Sequence, residues 1–67
     1  MFYKGQLLTY KVIRDDAWVG AIFQVDELTT PTLIRCTILH YSDSYHIGKQ
    51  CLIPTRILKP YLTIKEL

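Results

Sequence analysis

The chain has 67 residues, of which 49% are hydrophobic, and it carries a formal net charge of +2 at pH 7. A chain of this length forms one domain, near the lower size limit for a single hydrophobic core. The hydrophobic content and the low net charge exclude an intrinsically disordered chain. The eight Lys and Arg residues are dispersed, so the sequence has no basic tract of the kind that binds nucleic acid or membrane surfaces.

The sequence also predicts where the protein is located and how its two cysteines are used. No apolar run reaches the roughly 18 residues of a transmembrane helix, and the first residues lack the pattern of a secretory signal. We therefore expect a cytoplasmic protein with no membrane partner. Cys36 and Cys51 fall on separate predicted strands, where a free cysteine commonly acts as a small buried side chain. A disulfide between them is the alternative in an oxidising compartment.

The first half of the chain predicts two strands. Short runs of β-branched and aromatic residues alternate with polar ones, and no window of a dozen residues has helical spacing, which predicts an all-β chain. The first strand is expected at residues 6–13, and the acidic cluster at 14–17 reverses the chain. The second strand is expected at 18–26 and must end before Pro31, which has no N–H to donate.

The second half predicts three more strands. The third is expected at residues 33–41, followed by a polar loop at 42–48 and a fourth strand at 49–53. Residues 54–58 begin with proline and have room for one 3₁₀ turn. A short fifth strand is then expected at 61–64.

The second strand raises a packing problem. Residues 18–25 read WVGAIFQV, which is apolar on both alternating faces. Five short strands cannot bury both faces of one strand unless the sheet curls on itself. We therefore expect one face in a small core and the other against neighbouring elements or a partner.

Three segments carry a resemblance to a known fold family. They are WVGAI at 18–22, the third strand ending in Tyr41 with a polar loop through Tyr45 and His46, and LIPTRILKP at 52–60. Together these segments resemble the small SH3-like barrels, including the Tudor and KOW groups, over nearly the whole chain. The resemblance implies a single domain, a five-stranded SH3-like barrel with one 3₁₀ turn before the last strand. It also implies a module that binds peptides, modified side chains or nucleic acid and is not an enzyme.

Two members of this fold family suggest particular sites. The Tudor group binds methylated lysine or arginine in an aromatic cage, and the resemblance places Trp18, Tyr41, Tyr45 and His46 at cage positions, with histidine where an aromatic ring is usual. The WVGAI segment is also similar to the plasmid-borne, trimethoprim-resistant dihydrofolate reductases, which are tetrameric SH3-like barrels. Their substrate-contacting Gln-Ile-Tyr segment corresponds to residues 50–52, which lack the tyrosine, so that activity is not expected here.

The aromatic residues allow two interpretations. Exposed rings at Trp18, Tyr41 and Tyr45 would suit a binding site, because flat rings give a large contact area and stack on bases or cations. The alternative is that one or more of these rings completes a small core.

Basic residues near the fourth strand also allow two interpretations. Lys49, Arg56 and Lys59, with Arg35, could form a patch that contacts phosphates beside the aromatic rings. The alternative is that these exposed charges only maintain solubility.

Neither catalysis nor metal binding is predicted. The loop residues Ser42, Asp43 and His46 include the types found in catalytic triads, but triads come from separate parts of a rigid fold, and such a loop is ordinary turn chemistry. The Cys and His residues have no spacing of a common zinc site. We therefore expect no catalytic residue, no metal and no cofactor.

The sequence thus predicts a binding surface at the loop between the third and fourth strands. The expected binding residues are Trp18, Tyr41, Asp43, Tyr45, His46, Lys49, Arg56 and Lys59. A protein or peptide partner is the first hypothesis, and it includes self-association into a homo-oligomer. Nucleic acid is the alternative partner, and a small barrel enzyme formed at an oligomer interface is the third hypothesis.

Overall fold

The computed structural model describes residues 2–62, and it contains one sheet of five antiparallel strands. The strands are β1 (Leu7–Tyr10), β2 (Ile22–Glu27), β3 (Leu33–His40), β4 (Gln50–Pro54) and β5 (Leu58–Pro60), in the spatial order β4-β3-β2-β1-β5. The first, second and third 3₁₀ turns are Asp16–Trp18, Ser44–His46 and Thr55–Ile57. The described residues contain no α-helix, so the all-β prediction is confirmed, as is the 3₁₀ turn before the last strand.

The core lies on one face of the sheet. Side chains alternate between buried and partly exposed along β2 and β3, as expected when one face of a strand is covered. Among residues 2–62 the buried side chains are Leu8, Ala21, Phe23, Val25, Ile34, Cys36, Ile38, Ile53 and Leu58. They come from every strand and from the residue before β2, and no helix in the described part of the chain covers them. The strands must therefore cover one another, which requires a strongly curved sheet.

Two irregularities in β2 help to bend the sheet. The register between β2 and β3 shifts once at the start of β2 and once near Asp26. Such bulges bend a strand and increase its twist. At the second shift the Asp26 carboxylate accepts hydrogen bonds from the Thr37 hydroxyl and, at 3.0 Å, from the Gln50 side-chain amide. Polar side chains thus join β2, β3 and β4 on the face away from the core.

The apolar stretch at 18–25 is not one continuous strand, so the prediction for 18–26 is wrong in its first residues. Trp18 ends the first 3₁₀ turn, which is capped by the Asp15 carboxylate accepting from the Ala17 N–H at 3.1 Å. Gly20 then has φ +77°, a left-handed conformation that glycine adopts without steric cost. The strand begins only at Ile22. Trp18 was therefore misplaced on β2, because the capped turn and the glycine separate it from the sheet.

The ends of the outer strands also differ from the predictions. β1 ends at Tyr10 rather than at residue 13, and Val12 and Ile13 are exposed. The last strand of the described chain is Leu58–Pro60, not 61–64, and residues 63 and 64 lie outside the described residues. Pro60 is accommodated because β5 is an edge strand, where no neighbour needs its missing N–H. The predicted bounds of the third and fourth strands are correct to within one residue.

Candidate functional site

Three aromatic side chains, which we call the Trp18 stack, pack together between β1, β2 and the first 3₁₀ turn. Trp18 stacks on Tyr10 with ring centroids 4.1 Å apart and an interplanar angle of 20°. Tyr10 in turn meets Phe23 edge-on at 5.1 Å. Phe23 is buried, whereas Tyr10 and Trp18 are half-buried. The stack therefore extends from the core to the surface, and Trp18 is joined to the core through Tyr10.

A second group, the loop cluster, consists of Tyr41, Tyr45, His46 and Lys49. The His46 ring lies edge-on to Tyr41 at 5.6 Å and to Tyr45 at 5.4 Å. The Lys49 ammonium lies over the Tyr45 ring, 4.7 Å from its centroid. Tyr45 is 71% exposed. The structure thus brings together four of the residues that the sequence predicted as binding residues.

Asp43 shapes the loop that carries this cluster. Its carboxylate caps the second 3₁₀ turn by accepting from the Tyr45 N–H at 3.0 Å. The other carboxylate oxygen lies 3.8 Å from His46 Nε2. Both side chains are exposed, so this contact contributes little to stability. Asp43 therefore positions the aromatic residues that follow it, rather than forming a buried charged site.

A groove of about 310 Å³ separates the Trp18 stack from the loop cluster. Its floor is formed by the core side chains Phe23, Ile38 and Ile53. Its walls are formed by side chains from β1, the loop cluster, β4 and the third 3₁₀ turn: Tyr10, Tyr41, His46, Leu52, Pro54 and Ile57. The lining is mainly apolar and aromatic, with a few polar atoms, which is the composition of ligand sites in proteins.

Two polar groups of the groove, the Tyr10 hydroxyl and the Cys51 thiol, have a raised pKa. Burial raises the pKa of the Tyr10 hydroxyl, with smaller contributions from Tyr41 and Cys51. Burial, followed by the nearby Asp26 carboxylate, also raises the pKa of the Cys51 thiol. The thiolate is the nucleophilic form of cysteine, so Cys51 is poorly suited to covalent chemistry. The groove offers hydroxyl and thiol groups for hydrogen bonding within an apolar wall.

Cys36, a core residue of β3, lies opposite the partly buried Cys51 of β4. The two residues are paired across β3 and β4, and both are free thiols. Burial raises the pKa of Cys36 to about 12, with smaller contributions from Cys51 and Asp26. Within residues 2–62 no three His, Cys, Asp or Glu side chains are grouped so that they could hold a metal ion.

Of the eight predicted binding residues, Tyr41 and His46 line the groove, whereas Trp18, Asp43, Tyr45, Lys49, Arg56 and Lys59 do not. Arg56 is exposed on the third 3₁₀ turn, and Lys59 is exposed on β5 opposite Thr9 of β1. Arg35 forms an ion pair with Glu27 at 3.4 Å. The basic side chains are thus distributed over several elements and do not converge on one pocket.

Eight of the ten residues that line the groove were not predicted as binding residues: Tyr10, Phe23, Ile38, Cys51, Leu52, Ile53, Pro54 and Ile57. In the sequence each was predicted only as part of a strand or turn. The single local signal was the apolar LIP segment before the third turn. Their convergence depends on the curvature of the sheet, which brings β1 near β4 although the two strands are not paired.

A larger cavity of about 550 Å³ opens beside the loop between β2 and β3. Its lining combines Phe2 and Lys11 with aliphatic side chains and threonines. It contains one aromatic ring and none of the predicted binding residues. The smaller groove is therefore the stronger candidate, because aromatic rings and polar groups converge there.

Comparisons with protein-family models, with curated proteins and with solved structures find no match for this chain. No helix within residues 2–62 is long and apolar enough to cross a membrane.

Proposed function

We propose that this protein is a non-catalytic binding module, built on an SH3-like barrel, that recognises an extended peptide segment of a partner protein. The observation that carries the proposal is the apolar and aromatic groove between the Trp18 stack and the loop cluster. The barrel is supported by the 3₁₀ turn between β4 and β5 and by β1 lying between β2 and β5.

The walls of the groove suit peptide side chains. Tyr10 and Tyr41 are half-buried rings that are already held by neighbouring rings, so binding would cost little side-chain entropy. Their aromatic surfaces provide contact area for apolar residues, and their hydroxyls provide hydrogen bonds to a peptide backbone. A volume of about 310 Å³ is enough for two or three side chains but small for a larger cofactor.

A neutral ligand side chain fits better than a methylated lysine or arginine. An aromatic cage binds a cation through the faces of its rings. Here the Tyr45 face already holds Lys49 at 4.7 Å, and the Trp18 face is stacked against Tyr10. Two of the four cage positions, Trp18 and Tyr45, therefore already have one ring face in contact with another side chain of the chain.

The test is selection of binders from a random peptide library displayed on phage, followed by affinity measurement with the purified protein. We expect peptides rich in apolar and aromatic residues whose affinity falls about tenfold or more when Tyr41 is replaced by alanine. Tyr3 is 62% exposed and does not line the groove, so Tyr3→Ala is the matched control. Peptides that bind the two variants equally well would contradict the proposed site.

Nucleic-acid binding is the second candidate, and it is favoured by one observation. Tyr45 is 71% exposed beside the Lys49 ammonium, an arrangement in which a base could stack on the ring while the cation contacts a phosphate. Binding of a single-stranded oligonucleotide would weaken steeply between about 50 and 200 mM salt. It would also weaken on replacing Arg56 or Lys59. Binding of an uncharged peptide in the apolar groove would change little over the same salt range.

A further inference from the structure

The two edges of the sheet, β4 and β5, differ in the backbone groups that they expose. An edge strand has one row of N–H and C=O groups directed away from its neighbour. Which residues carry that row follows from the hydrogen-bond register, because bonded and non-bonded pairs alternate along an antiparallel ladder.

On β4 the outward row retains its donors. The Thr55 N–H donates to Thr32 O and the Ile38 N–H donates to Lys49 O, each at 2.9 Å. These two bonds and the strand register make Ile34–Ile53 and Cys36–Cys51 the bonded pairs between β3 and β4. The N–H groups of Gln50 and Leu52 therefore point away from the sheet, and no acceptor within residues 2–62 receives them.

On β5 the outward row has no free donor. The Lys11 N–H donates to Ile57 O, and the Tyr61 N–H donates to Leu7 O. The strand register then makes Lys59 the residue of β5 whose backbone groups bond to β1, so the backbone groups of Leu58 and Pro60 point away from the sheet. The Leu58 N–H donates a hydrogen bond to Thr55 O, and Pro60 has no N–H. With Lys59 on the same three-residue strand, β5 has the features that prevent edge pairing.

β4 is less protected, because only its last residue is a proline and its outward row keeps two N–H donors, and it borders the groove. The strand reads QCLIP and carries no charge, and Leu52 is 49% exposed. Leu52 and Pro54, two residues whose backbone groups point away from the sheet, also line the groove. A chain paired with this edge would therefore have side chains directed into the groove at every second residue.

We propose that the ligand is an extended peptide that pairs with β4 as an additional strand, with apolar residues at alternate positions and acidic residues on both sides of them. This inference rests on the proposed function and specifies its partner. The exposed N–H groups of Gln50 and Leu52 would donate to peptide carbonyls, while alternate side chains fill the groove.

The acidic flanks follow from the charges at the two ends of β4. Lys49 precedes the strand and Arg56 follows it on the third 3₁₀ turn, about 20 Å away along an extended chain. A bound peptide would place acidic residues near both cations if they are about six residues apart. A second copy of this chain fits less well, because two-fold pairing about Leu52 would bring Lys49 of each copy beside Arg56 of the other.

The experiment is amide hydrogen exchange by NMR, with and without the tightest peptide from the library selection. In the free protein the Gln50 and Leu52 amides should exchange fast, while the Cys51 and Ile53 amides are protected by β3. Saturating peptide should slow exchange at Gln50 and Leu52 by about tenfold or more. The selected peptides should also be enriched in Asp or Glu on both sides of the apolar positions.

A pair of variants separates the backbone from the side chain. Leu52→Pro removes the outward N–H and leaves the bonds to β3 in place, whereas Leu52→Ala removes the side chain and keeps the N–H. Proline should weaken peptide binding by about fivefold more than alanine. The exchange measurement on the unmodified protein does not depend on whether Leu52→Pro folds.

The outcomes distinguish this inference from the function on which it rests. A peptide that requires Tyr41 but leaves Gln50 and Leu52 exchange unchanged would overturn strand pairing and leave the proposed function standing. Selected peptides without acidic flanks would overturn the proposal that the ligand pairs acidic residues with Lys49 and Arg56. A library that yields no binders would overturn both. Sedimentation showing a dimer that Leu52→Pro dissociates would assign the β4 edge to a second copy and overturn the peptide assignment.

Discussion

The Trp18 stack and the loop cluster are both built from aromatic rings in contact, yet their surroundings differ. The stack ends in Phe23, which is 1% exposed, whereas the loop cluster ends in Tyr45, which is 71% exposed. Burial of a large ring contributes far more to stability than contact between exposed rings. Ring contacts alone therefore do not separate aromatic residues that stabilise the fold from those free to contact a ligand. The exposed fraction of each ring makes that distinction.

The largest expected effect is at the buried end of the stack. Phe23→Ala should lower the free energy of unfolding by about 3–5 kcal/mol, because it leaves a cavity beneath Tyr10. In a domain of this size that loss is comparable with the whole stability. Urea denaturation followed by tryptophan fluorescence measures it, with Phe23→Leu as the control that retains most of the volume. An alanine variant as stable as the leucine variant would contradict the assignment of Phe23 to the core.

Alkaline pH tests the buried thiol of Cys36 in the core. Cys36 has its pKa raised by burial from 9.0 to about 12, so the folded state keeps a proton that the unfolded state releases above about pH 9. The unfolded state then binds fewer protons, and stability falls as pH rises between about 9 and 12. Tyr10, whose pKa is also raised, adds to the loss at the upper end.

Urea denaturation at a series of pH values checks this prediction. Cys36→Ala should be less stable at neutral pH, because it loses buried volume, but its stability should fall less steeply over the alkaline range. Parallel curves for the two proteins would contradict the assigned shift of the Cys36 pKa.

A smaller effect is expected at the half-buried end of the stack. Trp18→Ala should lower the free energy of unfolding by about 1–2 kcal/mol, because it removes a stacked ring that is only partly buried. It should also weaken peptide binding, since Tyr10 loses the ring that supports it at the groove. Trp18→Phe retains a stacking partner and is the control. A Trp18→Ala variant with unchanged stability would show that the stack does not extend beyond Tyr10.

The smallest effect on stability is expected in the loop cluster. Tyr45→Ala should change the free energy of unfolding by less than about 0.5 kcal/mol, since the ring is exposed and its contact with Lys49 is on the surface. Thermal unfolding measures this against the unmodified protein. A large loss would show that the cluster stabilises the fold, and the contrast between the two groups would fail.

The strands of the core could be predicted from sequence because their alternation is local. Phe23 and Val25, like Ile34 and Cys36, follow the period of two that a half-buried strand requires. Trp18 could not be placed in the same way. Its β-forming neighbours favoured a strand. In the structure the turn capped by Asp15 continues to Trp18, and the positive φ of Gly20 follows it, so the strand starts only after Gly20. Local turn chemistry prevailed over strand propensity.

The candidate site was predictable only where its residues are close in sequence. Tyr41, Tyr45, His46 and Lys49 share one loop, so their proximity followed from the predicted strands on either side. Tyr10 and Ile57 are far apart along the chain and meet at the groove only because the sheet curves. The apolar stretch at 18–25 predicted that the sheet curls, but the positions of the bulges and the packing of the whole sheet, which bring these residues together, are not visible in local patterns.

The most direct test of the central claim is an amide NMR titration of the isotope-labelled protein with the tightest selected peptide. A peptide bound between the Trp18 stack and the loop cluster would shift the amides of Tyr10, Tyr41, Leu52 and Ile57 and leave the loop between β2 and β3 unchanged. Shifts centred on that loop would instead place the ligand in the larger cavity and contradict the proposed site.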